Sequence, residues 1–398
     1  MSNKEYPYYP PQLIKKINQT LKSGKVNYWT GNEGVLFEKE FSKYVGNKYS
    51  IAVSNGSVAL EIALKTLNFK YSDEIIVSPR SFIISASCVL NLGLKPVFAD
   101  VDHNGNLNIE SIKRVYTKKI KAIIVVHLNG MPCDLSPIIN FAKKNKIKII
   151  EDCSQAHGAI YKNKPVGSFG DISTWSFCQD KIVSTGGEGG MISTNDKKLW
   201  EKCWSYKDHG KNYYSVFQKK HKLGFKWLHE YFGSNYRITE IQAVIGRYQL
   251  KNLDAQIKKR NQIAKKIINS LNLFWKKYNL IEKPNFGYLP SKRKNLNNNH
   301  LTIHAFYRLN FFINLNRKEK LKLLNSLQAK KVNCNEGPCP EIYREKIFKK
   351  LKIFPKKKLT KAIELGNKSF VYHINPYIKF SKLNRDIKIL KKNLIKHI

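Results

Sequence analysis

Between residues 50 and 195, short runs of branched apolar residues recur with helix-like segments between them, and this alternation restricts the chain to few architectures. The runs read IAVS (51–54), EIIVSP (74–79), PVFADV (96–101), AIIVVH (122–127), IKIIED (147–152), DISTWSF (171–177) and GGMIST (189–194). Several are apolar throughout instead of alternating with polar residues, as expected of strands covered on both faces. Strands interleaved with helices imply an α/β fold built on a mostly parallel sheet. Such a sheet binds its ligands beyond the carboxyl ends of the strands, where the connecting loops converge. The residues that stand out chemically gather at those ends: Ser54 and Asn55, Ser81 and Phe82, Asp152, then Ser176 and Lys181.

The remainder of the chain reads differently. From Asn235 to Leu271, NYRITEIQAVIGRYQLKNLDAQIKKRNQIAKKIINSL places Ile238, Ile241, Ile245 and Tyr248 at helical intervals, which predicts one long helix leading out of the large domain. SKRKNLNNNH (291–300) reads as an exposed loop. Apolar strands such as HAFYRLNFFI and Lys-rich helices follow, which suits a smaller α+β domain. A length of 398 residues accommodates this division, with a large domain and N-terminal arm over 1–250 and a small domain over 251–398.

Composition excludes several classes. A hydrophobic share of 42% is that of a globular chain, and no apolar run is long enough to cross a bilayer. The start, MSNKEYPYYPPQL, lacks the apolar core and small-residue cleavage site of a secretory signal, so a cytoplasmic protein is expected. Seven scattered cysteines argue for a reducing compartment, and Cys334 with Cys339, the one near pair, has no second pair or histidine cluster to make a zinc site; no metal is expected. The net charge of +42 raises the question of nucleic acid. Against specific binding, the cations are spread along the chain, and lysine, which lacks arginine's bidentate fork, greatly outnumbers it. Abundant Lys, Ile and Asn together match a coding bias toward A and T, and the charge still attracts anionic substrates.

Three stretches carry chemistry. In SNGSVALEIALKTL (54–67) a strand gives way to an Ala/Leu-rich helix through Gly56 and Ser57, whose backbone amides and hydroxyl can cradle an anion, although an ordinary capped helix start has the same pattern. IIEDCSQAHGA (149–159) ends a buried strand in two carboxylates, each needing a partner. A cationic ring nitrogen would suit Asp152, Gln155 can turn an amide toward the same ligand, and His157 reads as structural. SFCQDKIVSTGGEGG (176–190) presents Ser176 and Lys181 before Gly186, Gly187, Gly189 and Gly190, which permit tight backbone passage. A lysine in a partly desolvated, cationic setting loses proton affinity and can condense with a carbonyl. Cradle, aspartate and lysine, in that order, are the parts a pyridoxal phosphate site requires.

These segments, with GNEGVLFEKEFSKYVGNKYSIAVSNGSVAL, SDEIIVSPRSFIISAS, KPVFADVD, VVHLNGMPCDL and NYRITEIQAVIG, resemble the DegT/DnrJ/EryC1/StrS family of sugar aminotransferases over nearly the whole chain. The resemblance implies a fold type I pyridoxal phosphate enzyme: a large domain whose mostly parallel mixed sheet lies between helices, plus the small C-terminal α+β domain. It implies that Lys181 binds the coenzyme covalently, Asp152 pairs with the pyridine nitrogen, and Gln155 contacts the ring hydroxyl. Gly56, Ser57 and Ser176 would bind the phosphate, Phe82 would cover one ring face, and Asn235 would reach the phosphate of a neighbouring subunit in a homodimer with shared sites. Relatives usually carry His-Pro near the end of the chain, where VYHINPYI has Asn375 before Pro376 and His373 two positions earlier.

The activity so implied is transfer of an amino group from glutamate, leaving 2-oxoglutarate, to a keto sugar, nucleotide-linked, for surface polysaccharide or lipopolysaccharide. Within the class, FCQDKIVSTGGEGG, SYKDHGK and GPCPEIYREK also resemble a subgroup that aminates an oxidised 3-deoxy-octulosonate at C8. Outside it stand a pyridoxal phosphate lyase or decarboxylase, and a non-catalytic regulatory or nucleic-acid-binding protein on the same fold.

Overall fold

The computed structural model describes residues 6–271 and 301–397. Seven strands form one sheet: β1 (Tyr49–Val53), β2 (Glu74–Val77), β3 (Lys95–Phe98), β4 (Ile120–Val126), β5 (Lys148–Asp152), β8 (Ile172–Ser176) and β9 (Gly190–Thr194). The short β6 (Ile160–Tyr161) and β7 (Lys164–Pro165) pair separately as a hairpin. The order is β1-β9-β8-β5-β4-β2-β3. β9 runs antiparallel to both its neighbours, and the other four pairings are parallel. The GGMIST run is therefore the one reversed strand of an otherwise parallel sheet.

Alternate residues of each strand enter two separate cores. Ala52, Ile76, Ile123, Ile149, Trp175 and Met191 pack on one face, and Ile51, Ile75, Ile124, Ile150, Ile172 and Ile192 on the other. Burial of each such side chain contributes about 1.5–3 kcal/mol, which explains why the runs are apolar at every position. The same alternation separates the two carboxylates that end β5. Glu151 is fully buried and accepts from the amides of Gly167, Phe169 and Gly170 at 2.8, 2.8 and 2.7 Å, with His127 Nε2 at 3.1 Å. Asp152 comes out on the opposite face.

The predicted long helix is two helices, Glu240–Lys251 and Leu253–Ser270. Asn252 separates them: its amide closes the first on the Gln249 carbonyl, its side chain donates to the Tyr248 carbonyl at 2.8 Å, and its own carbonyl accepts the Gln256 amide. A short amide side chain that bonds nearby backbone favours such an end over helix continuation.

Three antiparallel strands, β10 (Arg308–Phe312), β11 (Cys334–Asn335) and β12 (Ser369–His373), form a second sheet in the order β10-β12-β11. Its core joins Ile263 and Ile267 to Phe311, Leu323, Phe370 and Leu390, whereas Ile342, Phe348 and Leu365 pack into the core of the large sheet. The stretch read as an exposed loop, 291–300, lies outside the described residues. Asp100 and Arg80 are among the residues that tie the sheets together. Asp100, just past β3, accepts the Lys361 and Ala362 amides at 3.0 and 2.9 Å and so caps the helix Thr360–Lys368. Buried Arg80, following β2, donates to the Ala362 carbonyl and to Ser369 Oγ at 3.3 and 3.1 Å.

His157 packs against Trp175 and Phe177, with ring centroids 5.3 and 5.6 Å away. Burial above all, then the charges of Lys181 and Arg260, lowers its pKa to about 3, and burial takes His304 to the same value. Both folded values lie below the unfolded one of about 6.5. The stability they contribute is therefore complete above about pH 6.5 and is lost as pH falls toward 3, at roughly 1.4 kcal/mol per unit for each ring. His157→Phe is expected to remove about half of that slope, read as melting temperature between about pH 7 and 4; an unchanged slope would contradict the assignment.

Candidate active site

The carboxyl ends of β1, β2, β5 and β8 lie at one edge of the sheet, and the loops leaving them carry the wall of the candidate site. After β1, Asn55 caps the helix Gly56–Thr66 by accepting the Val58 amide at 2.9 Å. The Gly56 and Ser57 amides, in the first helical turn, have no hydrogen-bond partner among the described residues. Ser176, the last residue of β8, lies beside them: a Cβ on Gly56 would stand 2.5 Å from Ser176 Cβ. Gly190 opens β9 across from both, where a Cβ would stand 2.4 Å from the Asn55 carbonyl oxygen. Only glycine permits three backbones to approach so closely. Gly56 and Ser176 thus approach each other directly, with Ser57 next along the helix.

Asp152 is 6% exposed. One carboxylate oxygen accepts the Ser154 amide at 3.1 Å and the other the Ser85 hydroxyl at 3.3 Å, with Ser85 held in turn by Ser81 at 2.9 Å. No cation pairs with it among the described residues. Gln155 is oriented by Asn129, whose amide donates to Gln155 Oε1 at 2.7 Å, so the Gln155 –NH2 group remains available to a ligand. Asn129 takes a left-handed backbone with φ 54° and extends the chain of contacts to Asn310 at 2.8 Å.

Lys181 closes the wall. Its Nζ lies 3.1 Å from Asp180 Oδ1 and 3.3 Å from the Tyr307 hydroxyl, and the Tyr307 hydroxyl also donates to Asp180. Tyr307 follows directly on Phe306, and both their amides border Gly130 beside the Gln155 carbonyl, so the partner of Lys181 sits on the backbone next to Gln155. The N-terminal arm fixes the lysine from behind, because the Tyr6 hydroxyl donates to the carbonyls of Lys181 and Ile182, the latter at 2.8 Å. The expectation of a lysine with weakened proton affinity is corrected here. Burial does lower it, but Tyr307 and the Asp180 carboxylate outweigh burial and hold the amine above the ordinary lysine value.

Phe82 and Asn235 differ from the rest in presenting exposed side chains. Phe82 is 68% exposed on the loop that carries Ser81. Asn235 pairs through its backbone with Asp208, next to Tyr236, whose carbonyl accepts the Ser54 amide at 2.9 Å.

Similarity to known proteins follows this geometry. The model of the DegT/DnrJ/EryC1/StrS aminotransferase family matches residues 9–390. The chain belongs to this family. It is 38% identical over 275 residues to a GDP-perosamine synthase of Escherichia coli O157:H7, covering 67% of this chain and 72% of that one. It is 38% identical over 257 residues to a dTDP-3-amino-3,6-dideoxy-alpha-D-galactopyranose transaminase of Aneurinibacillus thermoaerophilus, covering 64% and 67%. The crystal structure of an aminotransferase from Psychrobacter cryohalolentis superposes with a TM-score of 0.91 at 40% identity over 99% of both chains. The protein is thus an aminotransferase with the fold type I architecture.

For a DegT/DnrJ/EryC1/StrS member, the sequence concealed several residues that matter to the pocket. Tyr307 and Arg308 fall in HAFYRLNFFI, whose only signal was that of a strand. Asn129 precedes Gly130, an Asn-Gly pair that signals a tight turn. Asp180 adjoins Lys181, and a carboxylate beside a candidate nucleophile was the clue available. Among the described residues one group, His127, Glu151 and Cys153, brings potential metal-ligand atoms within 4.8 Å of one another. Glu151 is already satisfied by three amides, and His127 Nδ1 accepts the Cys133 amide at 3.0 Å, so this is a buried structural network. No helix of the described residues is long and apolar enough to cross a membrane.

Proposed function

We propose that the protein is a cytoplasmic pyridoxal phosphate enzyme that moves an amino group from glutamate to a keto sugar carried on a nucleotide, for polysaccharide biosynthesis. The observation that carries this reading is the carboxylate of Asp152, buried at the carboxyl end of its strand and without a cation among the described residues. A buried charge needs a partner, and a protonated pyridine nitrogen supplies one. The unpaired amides of Gly56 and Ser57 at a helix N-terminus suit a phosphate, with Ser176 adding a hydroxyl. Gln155 would meet the ring hydroxyl and Phe82 one ring face. The sugar follows from the names of the GDP- and dTDP-sugar relatives.

The bound coenzyme would supply an electron sink for the carbanion formed at the amino-acid carbon. The chain's own groups would do the rest. Lys181 Nζ would take the proton from that carbon and return it, the Tyr307 hydroxyl, 3.3 Å away, orienting the amine. Asp152 would face the ring nitrogen, and Asn129 would keep Gln155 from rotating away.

The assembly we propose is a homodimer with shared sites. Tyr214, Phe217, Phe225, Trp227, Tyr231 and Phe232 are all more than half exposed in one short segment, an apolar surface of the kind that marks an interface. Asn235, exposed just beyond it, would serve the phosphate site of the second subunit. The large and small domains would divide near residue 250.

Mixing purified protein, pyridoxal phosphate and glutamate tests the reading: 2-oxoglutarate should form in proportion to enzyme, and a nucleotide-linked keto sugar should make the reaction catalytic. Release of carbon dioxide, or no 2-oxoglutarate at all, overturns it.

A further inference from the structure

We propose that Arg308, with Tyr307, receives the carboxylate of the amino-acid co-substrate, and that Asp180 holds that place until the co-substrate arrives. The inference rests on the aminotransferase reading for the identity of the ligand but on its own geometry for the site.

Arg308 opens β10 and pairs with His373 of β12, so a sheet positions it. Its Nη2 donates to the Tyr307 hydroxyl at 3.0 Å and lies 3.6 Å from Asp180 Oδ2, while Lys181 approaches the same hydroxyl and the same carboxylate. The guanidinium and the reactive amine thus share both neighbours. An amino acid that donates its nitrogen must bring that nitrogen to where Lys181 acts, and its α-carboxylate, two bonds away, must find a cation close by. Arg308 is the arginine at that spot.

The pairing of Arg308 within the chain is incomplete. Its Nε is buried and without a hydrogen-bond partner among the described residues, whereas both recorded polar contacts use Nη2. A buried donor left unpaired is costly. A carboxylate that accepts from Nε and an Nη together satisfies it in the fork geometry that arginine offers and lysine does not.

Asp180 behaves as a stand-in. Its side chain is 50% exposed, so it can leave for solvent, unlike Asp152. With it in place the cluster holds two cations and one carboxylate, an arrangement that still attracts an anion. With it displaced, the incoming carboxylate inherits the Tyr307 hydroxyl and the free edge of Arg308. His373 does not compete for that anion as a cation, since burial chiefly, and then the charge of Arg308, lowers its pKa to about 4.

Calorimetric titration of the holoenzyme with glutarate, which has the carboxylates but no amine to react, tests this directly, with gluconate as a second arm. Wild type should bind glutarate. Arg308→Gln should weaken it by about tenfold or more, and Arg308→Lys should recover part of the loss. Asp180→Asn should tighten glutarate severalfold, an effect of opposite sign that a folding defect cannot imitate. Equal affinity in wild type and Arg308→Gln, or no glutarate binding by wild type, overturns the proposal. Weakening of gluconate alone also overturns it, in favour of an acidic sugar. A holoenzyme that binds glutarate through Arg308 yet makes no 2-oxoglutarate from glutamate sinks the transfer reading and leaves this site standing.

Discussion

Lys181→Ala should lower turnover by a factor on the order of 10^4 or more while leaving the fold intact. That factor corresponds to about 5 kcal/mol of transition-state stabilisation. The size follows from the position of the amine: its Nζ sits between the Tyr307 hydroxyl and Asp180, and Tyr6 clamps the backbone behind it. The methyl group of alanine reaches none of these. The side chain is 18% exposed and belongs to none of the hydrophobic cores, so the melting temperature should change little. Borohydride reduction followed by mass spectrometry gives a second readout, since wild type should carry the coenzyme on residue 181 and the variant should not. A variant that retained the covalent adduct, or turned over within a hundredfold of wild type, would overturn the role assigned to this lysine.

Asp152→Asn is the second large effect expected. The substitution keeps the shape of the side chain and can keep the bond from the Ser154 amide, while removing the charge. If a ring cation lies against this carboxylate, uncoupling the buried pair costs about 3–5 kcal/mol. That is a loss of roughly 10^2 to 10^4 in kcat/KM, accompanied by weaker retention of pyridoxal phosphate. A purely structural aspartate would instead show itself as a lower melting temperature with kcat/KM preserved. Steady-state kinetics at saturating coenzyme, set beside thermal melts, separates the two.

The strands and their chemistry were legible because burial on both faces leaves a local mark: a run such as AIIVVH needs no distant information to be read. The ends of those strands then placed Asp152, Ser176 and Lys181 at one edge, which is a consequence of parallel order alone. Direction was not legible, because an antiparallel strand between two parallel neighbours is as apolar as they are, and GGMIST gave no hint of its reversal. The break at Asn252 was lost for a related reason: one asparagine inside a helical pattern stops the helix only when its side chain bonds nearby backbone, as it does here with the Tyr248 carbonyl. The direction in which its surroundings shift Lys181 was not legible, since the effect of Asp180 depends on which way two adjacent side chains turn. Tyr307 and Arg308 come from more than a hundred residues further along the chain, and nothing near them in sequence announces a pocket.

The carboxylate of Asp100 grips the start of the segment from Lys361 to Ser369, and the guanidinium of Arg80 grips both its start and its end. The C-terminal third is consequently no autonomous module. Severed from the first hundred residues it would keep a helix with its leading amides bare, and the parent would keep a buried arginine with nothing to hold. Heating should therefore melt the two sheets in one cooperative step, and fragments split between them should recover structure only when mixed.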